Sequence, residues 1–361
     1  MIEPKFTKNE IDFLIDEFSI RTDCINPFEF KGVNEKTRVY QIDDLGISKK
    51  LVLDSTLWRD IACYSSIVGE RLDKMVLKAS FDAAKLLKNL GYVKNLDEVI
   101  FESVLRAGDG YKLREAFETF GINFRRVWIR PKYIIKTEKN GNRSHRVKRL
   151  VIDNENFEQI PENKKLCLIK PDTEATGKTS EISIKRTVEV ARGKGSEIKK
   201  LVLYGFISET GLSFVEQIAK EVGIEEVVAI PIGNLTALCS NEFDMPLYGP
   251  DESQWVETKE IRKLGSTSSR KTLYKYVPAY IPGLDQPADW SDKQAILFNG
   301  YGYEPGDITG HLKKTIGYVK NLREILHQMP SVQDFLPRYD SMIERELSRL
   351  KRQLQNYTVK I

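Results

Sequence analysis

Short apolar runs alternate along the chain with segments whose apolar residues recur every three or four positions. The run 166–169 has the length and composition of a buried strand, and a polar turn follows it. In 182–192, Ile and Val are interspersed with Lys, Arg and Glu, which predicts an amphipathic helix, although β-branched residues at even spacing leave a strand open. The same patterns predict further strands at 98–105, 124–129, 200–206 and 226–230, and further helices at 111–120 and 212–222.

This alternation of strands and helices predicts an α/β fold, with a mostly parallel sheet flanked by helices and with helical additions at both ends. In such sheets, ligands bind at the carboxyl ends of the strands. Two turns, 106–110 and 170–179, are predicted to lie at such ends.

The chain is predicted to divide into three parts. These are an N-terminal extension at 1–50, the α/β domain at 51–310 and a C-terminal helical tail at 311–361. Periodic apolar residues predict that 51–95 is mostly helical, whereas the polar stretch 240–276 shows no pattern that places it. The tail is predicted to form two helices, 312–327 and a second one that ends near 357.

Composition describes a globular protein of 361 residues, with 41% hydrophobic and 30% charged residues. The net charge of +4 is too small to indicate a nucleic-acid partner by itself, and no apolar run is long enough to span a bilayer. Four cysteines show no metal-ligand spacing, and the three histidines are isolated, so a zinc site is not predicted. The charged N-terminus lacks the apolar segment of a signal peptide, and we expect a cytoplasmic protein with reduced thiols.

The turn at 170–179 offers the groups that bind a phosphate. A strand, a tight turn and a helix together point free backbone N–H groups at an anion. Gly177 lets the backbone approach closely and Lys178 adds charge, but Asp172 stands where a Walker A loop requires its first glycine. An ordinary strand-to-helix turn would have a similar composition. Hydroxyl groups come from Thr176, Thr179 and Ser180.

Residues 132–157 are predicted to form a hairpin, because Asn140-Gly141 is a strong turn signal. One interpretation is a solvated hairpin. The other is a mobile basic flap that closes over a polyanionic ligand and excludes water. The basic residues of its flanks are Lys132, Lys136, Lys139, Arg143, Arg146, Lys148 and Arg149.

Three segments, in this order, resemble the uracil phosphoribosyltransferase group of type I phosphoribosyltransferases. Val104-Leu105-Arg106-Ala107-Gly108 looks like the family's LRAG loop, which binds the pyrophosphate of phosphoribosyl pyrophosphate (PRPP). Lys170 to Ser180 resembles the PRPP motif that ends in ATGGT and holds the 5′-phosphate. Ile281-Pro282-Gly283-Leu284, with Asp289 and Asp292 downstream, resembles the hood loop that reads the uracil edge. The resemblance covers about 50–300.

The resemblance implies a type I phosphoribosyltransferase fold, a homodimer, and Mg²⁺ that is carried by PRPP rather than by a protein metal site. The sequence also departs from the family. Lys170 stands where an acidic residue is usual, Lys178 replaces the second glycine of ATGGT, the loop is one residue longer, and 285–290 differs from the family's small Gly/Asp/Ala run. The implied catalytic residues are Arg106, Arg130, Asp172 and Asp289. The implied substrate- and PRPP-binding residues are Ala107, Gly108, Glu174, Ala175, Thr176, Gly177, Lys178, Thr179, Ser180, Gly283, Leu284 and Asp292.

The implied reaction is the transfer of ribose 5-phosphate from PRPP to a uracil-like nucleobase or a related nitrogenous acceptor, with release of pyrophosphate. Lys170 favours a second hypothesis, a regulatory protein that senses PRPP or a nucleotide, or acts with a partner. Nucleic acid is a less favoured partner, and no membrane partner is predicted. A kinase-like enzyme is a third hypothesis, and the missing Walker glycine argues against it.

Overall fold

A mixed sheet runs through the computed structural model, which describes residues 4–30, 36–43, 46–140 and 143–359. Within these residues the sheet has nine strands, in the order β1-β2-β3-β9-β8-β7-β4-β5-β6. The strands are β1 Ile25–Pro27, β2 Thr37–Ile42, β3 Lys49–Ser55, β4 Val99–Val104, β5 Arg125–Asn140, β6 Arg143–Asn156, β7 Lys165–Pro171, β8 Glu197–Ser208 and β9 Glu226–Thr236.

The six neighbouring strands from β3 to β5 in this order are parallel, and antiparallel pairs are confined to the two edges. Helices cover both faces, so the central strands β7, β8 and β9 are almost continuously buried, as is usual in parallel sheets. The predicted α/β architecture with a mostly parallel sheet is therefore confirmed.

The helices are α1 Lys8–Glu17, α2 Thr56–Cys63, α3 Gly69–Asn89, α4 Leu113–Glu118, α5 Lys178–Gly193, α6 Glu209–Glu221, α7 Glu252–Thr258, α8 Arg270–Tyr276, α9 Ile308–Gln328 and α10 Leu336–Thr358. Short 3-10 turns lie at Leu96–Glu98, Ala107–Tyr111 and Pro330–Phe335. In the part of the chain that the structure describes, no helix has the length and apolar character needed to cross a membrane.

Helix α5 follows β7 and begins directly after Gly177, which confirms the helix predicted at 182–192 and excludes the strand alternative. Its apolar face, with Ile184, Val188 and Ala191, is buried against the sheet. Gly177 has a φ of 76°, and a Cβ at this position would lie 2.9 Å from the carbonyl oxygen of Gly211. Glycine is therefore required to start this helix so close to α6.

The two ends of the chain pack onto the central domain rather than apart from it. Strands β1 and β2 extend the main sheet through β3, and residues 51–55, predicted to be helical, belong to β3. Apolar residues of α1, α9 and α10 belong to the same core cluster as α2, α3 and one face of the sheet. The two predicted tail helices correspond to α9 and α10.

The stretch 240–276, which the sequence did not place, forms α7, α8 and a short antiparallel pair, β10 Tyr248–Pro250 with β11 Lys263–Gly265. A second small pair is β12 Leu297–Phe298 with β13 Tyr303–Glu304.

The predicted hairpin is formed by β5 and β6, with Asn140 opposite Arg143. Strand β4 pairs with β5 only over Arg125 to Ile129. Beyond Ile129, the described residues of β5 are paired with β6 as a two-stranded ribbon. Gly141 of the predicted turn, and the side chains of 136–147 with most of the predicted basic flap, lie outside the described residues.

Candidate functional site

A cleft of about 360 Å³ opens at the carboxyl ends of β4 and β7. Several segments that are far apart in the sequence form its walls. They are the end of β4 and the turn after it, the loop between β7 and α5, the ribbon of β5 and β6, a loop at 241–243 and residues 287–291. The two turns that the sequence predicted at strand ends therefore face one space.

The loop after β7, residues 172–177 (the β7 loop), is organised by a buried lysine. The Lys170 side chain is fully buried, and its Nζ lies 2.9 Å from Asp172 Oδ2, 2.6 Å from Glu174 Oε1 and 2.5 Å from Ser180 Oγ. Backbone bonds from Asp172 and Glu174 to β8 hold the same loop in place. The β7 loop is thus fixed from inside by an ion-pair cluster.

Charges in this cluster change the ionisation of its members. Burial lowers the pKa of Lys170, but the carboxylates of Asp172, Glu174 and Glu102 outweigh burial and raise that pKa above its usual range. Lys170 is therefore a permanent cation at neutral pH. Burial raises the pKa of Asp172 to about 6, against the opposing attraction of Lys170.

Two residues of the predicted binding set face the interior. The Glu174 carboxylate and the Ser180 hydroxyl bind Lys170 and each other, and both residues are buried. Neither lines the cleft, whereas Asp172 does. The contact with Lys170 accounts for this orientation, because an ammonium buried in the interior must be paired.

The segment Ala175 to Thr179 lines the cleft, as the sequence predicted for a phosphate cradle. Its last two residues, Lys178 and Thr179, form the first turn of α5, where backbone N–H groups and the helix dipole favour an anion. The Lys178 ammonium lies 2.5 Å from the carboxylate of Glu242, so an exposed ion pair stands at the rim of the cleft.

The turn after β4, residues 105–111 (the β4 turn), lies against the end of β7. A Cβ at Gly108 would lie 2.8 Å from the Pro171 carbonyl oxygen, so glycine permits this close approach. Leu105 and Ala107 line the cleft. Between them, Arg106 points to acidic partners, with Nη2 at 2.9 Å from Asp292 Oδ1 and Nη1 at 2.9 Å from Glu304 Oε1.

Arg130, the second predicted catalytic arginine, lies near Arg106. Its Nη1 donates to the Asn299 carbonyl oxygen at 3.2 Å, and its Nε is 3.7 Å from Asp153 Oδ2. Hydrogen bonding from Asn299 lowers the pKa of Glu304, and both Arg106 and Arg130 add to this effect. The two guanidinium groups thus share an acidic neighbour beside the cleft.

The hood, residues 281–292, lines the cleft with residues that follow Gly283 and Leu284, the pair that the sequence predicted to bind the base. Gly283 and Leu284 are buried. The Gly283 N–H donates to the Tyr248 carbonyl oxygen, and the Gly283 carbonyl oxygen accepts from the Tyr318 hydroxyl. Asp289 points towards α9, with Oδ1 at 2.7 Å from Lys314 Nζ. Burial raises the pKa of Asp289, but hydrogen bonds and attraction from His311 and Lys314 outweigh burial and lower that pKa to about 2. The hood residues that line the cleft are Pro287, Ala288, Trp290 and Ser291.

An aromatic and hydroxyl chain joins the hood to the β7 loop. The Trp290 ring stacks on Tyr111, with ring centroids 4.7 Å apart, and the Tyr111 hydroxyl lies 2.6 Å from Thr173 Oγ1. Sequence reasoning did not assign these three residues to the site. Trp290 and Thr173 adjoin predicted site residues, which is the one signal that marks them.

Two exposed aromatic side chains complete the cleft at its mouth. Tyr133, on β5, carries the Lys148 ammonium of β6 at 4.3 Å from its ring centroid, and both line the cleft. Phe243 also lines the cleft, together with Asn241 and Glu242. The segment 241–243 belongs to the stretch whose polar composition gave no structural signal.

Among the described residues, no group of three or more His, Cys, Asp or Glu side chains could hold a metal ion. Asp172 and Glu242 are the carboxylates that line this cleft in the described part of the chain.

No family model matches the sequence, and no curated protein matches it. Among solved structures, the chain is similar to an adenine phosphoribosyl transferase from Trypanosoma brucei, solved with AMP, pyrophosphate and ribose-5-phosphate. The identity is 14% and the TM-score 0.33, over 56% of this chain and 89% of that chain.

Two further solved structures are similar to the chain. For an adenine phosphoribosyltransferase from Thermoanaerobacter pseudethanolicus, the identity is 12% and the TM-score 0.26, over 43% of this chain and 80% of that chain. For a hypoxanthine-guanine phosphoribosyl transferase from L. donovani, the identity is 12% and the TM-score 0.25, over 47% of this chain and 83% of that chain. Likenesses at these TM-scores do not identify a family for this chain.

Proposed function

We propose that the cleft binds PRPP and that the protein transfers its ribose 5-phosphate group to a nitrogenous heterocycle, with release of pyrophosphate. This proposal rests on the observation that three separate segments meet at one cleft. The β4 turn, the segment 175–179 and the hood resemble, in that order, the pyrophosphate, 5′-phosphate and base-binding segments of one family, and parts of all three line one cleft.

The 5′-phosphate is proposed to lie on the first turn of α5, where Thr176 and Thr179 offer hydroxyls beside the backbone N–H groups. Pyrophosphate is proposed to lie on the β4 turn. For this, Arg106 exchanges its single contacts to Asp292 and Glu304 for phosphate oxygens, which a planar guanidinium can bind in a bidentate manner. Arg130 is proposed to share this role, because it acts on the same Glu304 carboxylate as Arg106.

In the proposed reaction, the bond between the ribose C1 and the pyrophosphate oxygen breaks as a bond from C1 to the acceptor nitrogen forms. The leaving pyrophosphate takes the electron pair, and the acceptor nitrogen loses its proton to solvent. Negative charge grows on the leaving group, so Arg106 and Lys148 would stabilise the transition state by charge. A flat heterocycle suits a space lined by Tyr133, Phe243 and Trp290, since aromatic faces stack on it.

Mg²⁺ is proposed to enter bound to PRPP, where it would neutralise pyrophosphate oxygens. Asp172 is the carboxylate at the base of the cleft that fits such an ion or the ribose hydroxyls. Because burial raises its pKa to about 6, it accepts either partner best above that pH. The acceptor base, including uracil, the homodimer and the cytoplasmic location stay predictions.

A second function is favoured by one observation, the Lys170 cluster. This lysine neutralises the acidic groups of the β7 loop from inside, so less negative charge is left for the ribose or for a metal ion. The cleft would then bind PRPP or a nucleotide without turnover, as a sensor does. The cradle at 175–179 serves both functions equally.

Calorimetric titration with PRPP and Mg²⁺, followed by pyrophosphate release with a panel of purine and pyrimidine bases, separates the two functions. We expect binding, and release with one class of base. Thr179→Val, which is nearly isosteric, should weaken binding, whereas Thr258→Val, an exposed threonine on α7 outside the cleft, should not.

Binding without release from any base would favour the sensor. If PRPP does not bind to the wild-type protein, or binds equally well to the Thr179→Val variant, the proposal for this cleft is wrong.

A further inference from the structure

A second cavity, of about 230 Å³, lies between α2, α10 and the chain that leads into the hood. It shares no lining residue with the cleft. One wall is apolar and is formed by Pro278, Ala279, Ile281 and Met342. Ile281 is followed directly by Pro282 and Gly283, so this wall continues into the hood.

Three arginines line the other side, and we call this space the arginine cavity. Arg59 comes from α2, and Arg345 and Arg349 come from successive turns of α10. The guanidinium of Arg349 lies over the Tyr64 ring, 4.6 Å from its centroid, which fixes its plane. Three cations from two helices therefore surround a space that an anion can enter.

The lining of the cavity carries more basic than acidic side chains. Its lining carries the two carboxyl groups of Asp60 and Glu346 against three guanidinium groups. Asp60 accepts from Arg59 at 2.7 Å, and Glu346 accepts from the Ser66 N–H at 2.8 Å and from Arg349 at 3.2 Å. Burial raises the pKa of Glu346, against the hydrogen bonds from Ser66 and Arg349.

A fourth basic residue, Lys293, lies outside the cavity lining and interacts with Glu346. The Lys293 side chain is fully buried and has no hydrogen-bond partner among the described residues. Burial lowers its pKa to about 8, against the attraction of Asp285 and Glu346. Lys293 directly follows Asp292, the last residue of the hood.

We propose that the arginine cavity is a binding site for a small phosphorylated anion, separate from the cleft. Guanidinium groups pair with phosphate oxygens in a planar, bidentate geometry, and the apolar wall accepts the carbon skeleton of a sugar phosphate. The occupant is either free phosphate or pyrophosphate, or a sugar phosphate. Since one wall leads into the hood, an occupant would restrain the segment that also lines the cleft.

Calorimetry with inorganic phosphate, pyrophosphate and ribose 5-phosphate tests this site. A background of Arg106→Ala and Thr179→Val minimises anion binding in the cleft. In that background, Arg345→Gln and Arg349→Gln are compared with Arg352→Gln, which removes the same charge from an exposed position of α10 outside the cavity. Two cavity variants are used in case one of them does not fold.

We expect at least one of the three anions to bind the background protein. Either cavity substitution should weaken this binding about tenfold, as for the loss of a charge-assisted bond. Arg352→Gln should leave the affinity within about twofold of the background protein. The anion that binds most tightly identifies the source of the phosphate. Equal affinity in all variants, or no binding of any of the three anions to the background protein, would overturn the proposal.

Discussion

The β7 loop and the β4 turn both end parallel strands and both face the cleft, but they are held in different ways. The β7 loop is fixed from within, because Lys170 is fully buried and pairs with carboxylates that are buried as well. The β4 turn carries Arg106, whose side chain and acidic partners are between a quarter and about a third exposed. A buried ion pair cannot be exchanged cheaply, whereas a partly exposed one can.

This difference indicates that the two regions would respond to a ligand in different ways. The β7 loop presents a preformed cradle, and a ligand has little to rearrange there. In the proposed function, an anionic ligand would draw the Arg106 guanidinium of the β4 turn away from Asp292 and Glu304. Substitutions in the first region should therefore lower stability, and those in the second should change affinity with little effect on stability.

The largest effect is expected for Lys170→Met. Removing the cation leaves Asp172 and Glu174 buried without their partner, and breaking a buried pair in this way costs about 3–5 kcal/mol. Urea denaturation measures the free energy of unfolding. Lys185→Met on α5, where the lysine is exposed and pairs with Glu181, is the matched control and should change it by less than about 0.5 kcal/mol. A loss below about 1 kcal/mol for Lys170→Met would show that the cluster does not hold the loop.

A smaller loss is expected for Gly177→Ala. The new Cβ meets the Gly211 carbonyl oxygen and the left-handed backbone disfavours alanine, so stability should fall by about 1–3 kcal/mol, and PRPP affinity with it. Gly193→Ala, at the end of the same helix, meets no atom within 4 Å. It should be neutral or slightly stabilising, by up to about 1 kcal/mol. Thermal unfolding of both variants provides the comparison, and equal behaviour would contradict the requirement for glycine.

Arg106→Ala should separate affinity from stability. Its ion pairs are partly exposed, so the free energy of unfolding should change by less than about 1 kcal/mol. Loss of a charge-assisted bond to pyrophosphate should weaken PRPP binding about tenfold. Calorimetry with PRPP and Mg²⁺ measures this effect, and unchanged affinity would remove Arg106 from the site.

The smallest effect is expected for Asp292→Asn, which removes one of the two acids that compete for Arg106. PRPP affinity should rise by about twofold, because Glu304 still retains the arginine. The sequence predicted Asp292 as a substrate-binding residue. A fall in affinity would support that role and contradict the view of Asp292 as a competitor.

The sequence predicted most of the sheet, because β7, β8, β9 and α5 carry strong local patterns. It interpreted the apolar run of β7 as ending at Ile169, although the strand continues to Pro171. Lys170 interrupts the pattern, and only its pairing with residues two and four positions later allows it to be buried. Because Lys170 is charged, the apolar pattern did not show that it belongs to the strand, and its role in holding the β7 loop was not predicted.

The hood shows a different limit of local patterns. Gly283 and Leu284 belong to the segment that the sequence predicted to bind a base, and contacts from Tyr248 and Tyr318, which are distant in sequence, hold that segment in the interior. The cleft instead receives 287–291, and the position of Asp289 is set by Lys314 on α9. Which side of a loop faces a ligand depends on tertiary contacts that no local pattern records.

The most direct test of the account is a crystal structure of the protein soaked with ribose 5-phosphate. The account predicts that the phosphate lies in the cleft, within hydrogen-bond distance of the backbone N–H groups at 177–179 and the Thr179 hydroxyl, while Lys170 remains paired with Asp172 and Glu174. A phosphate found only outside the cleft, with the first turn of α5 free of ligand, would contradict it.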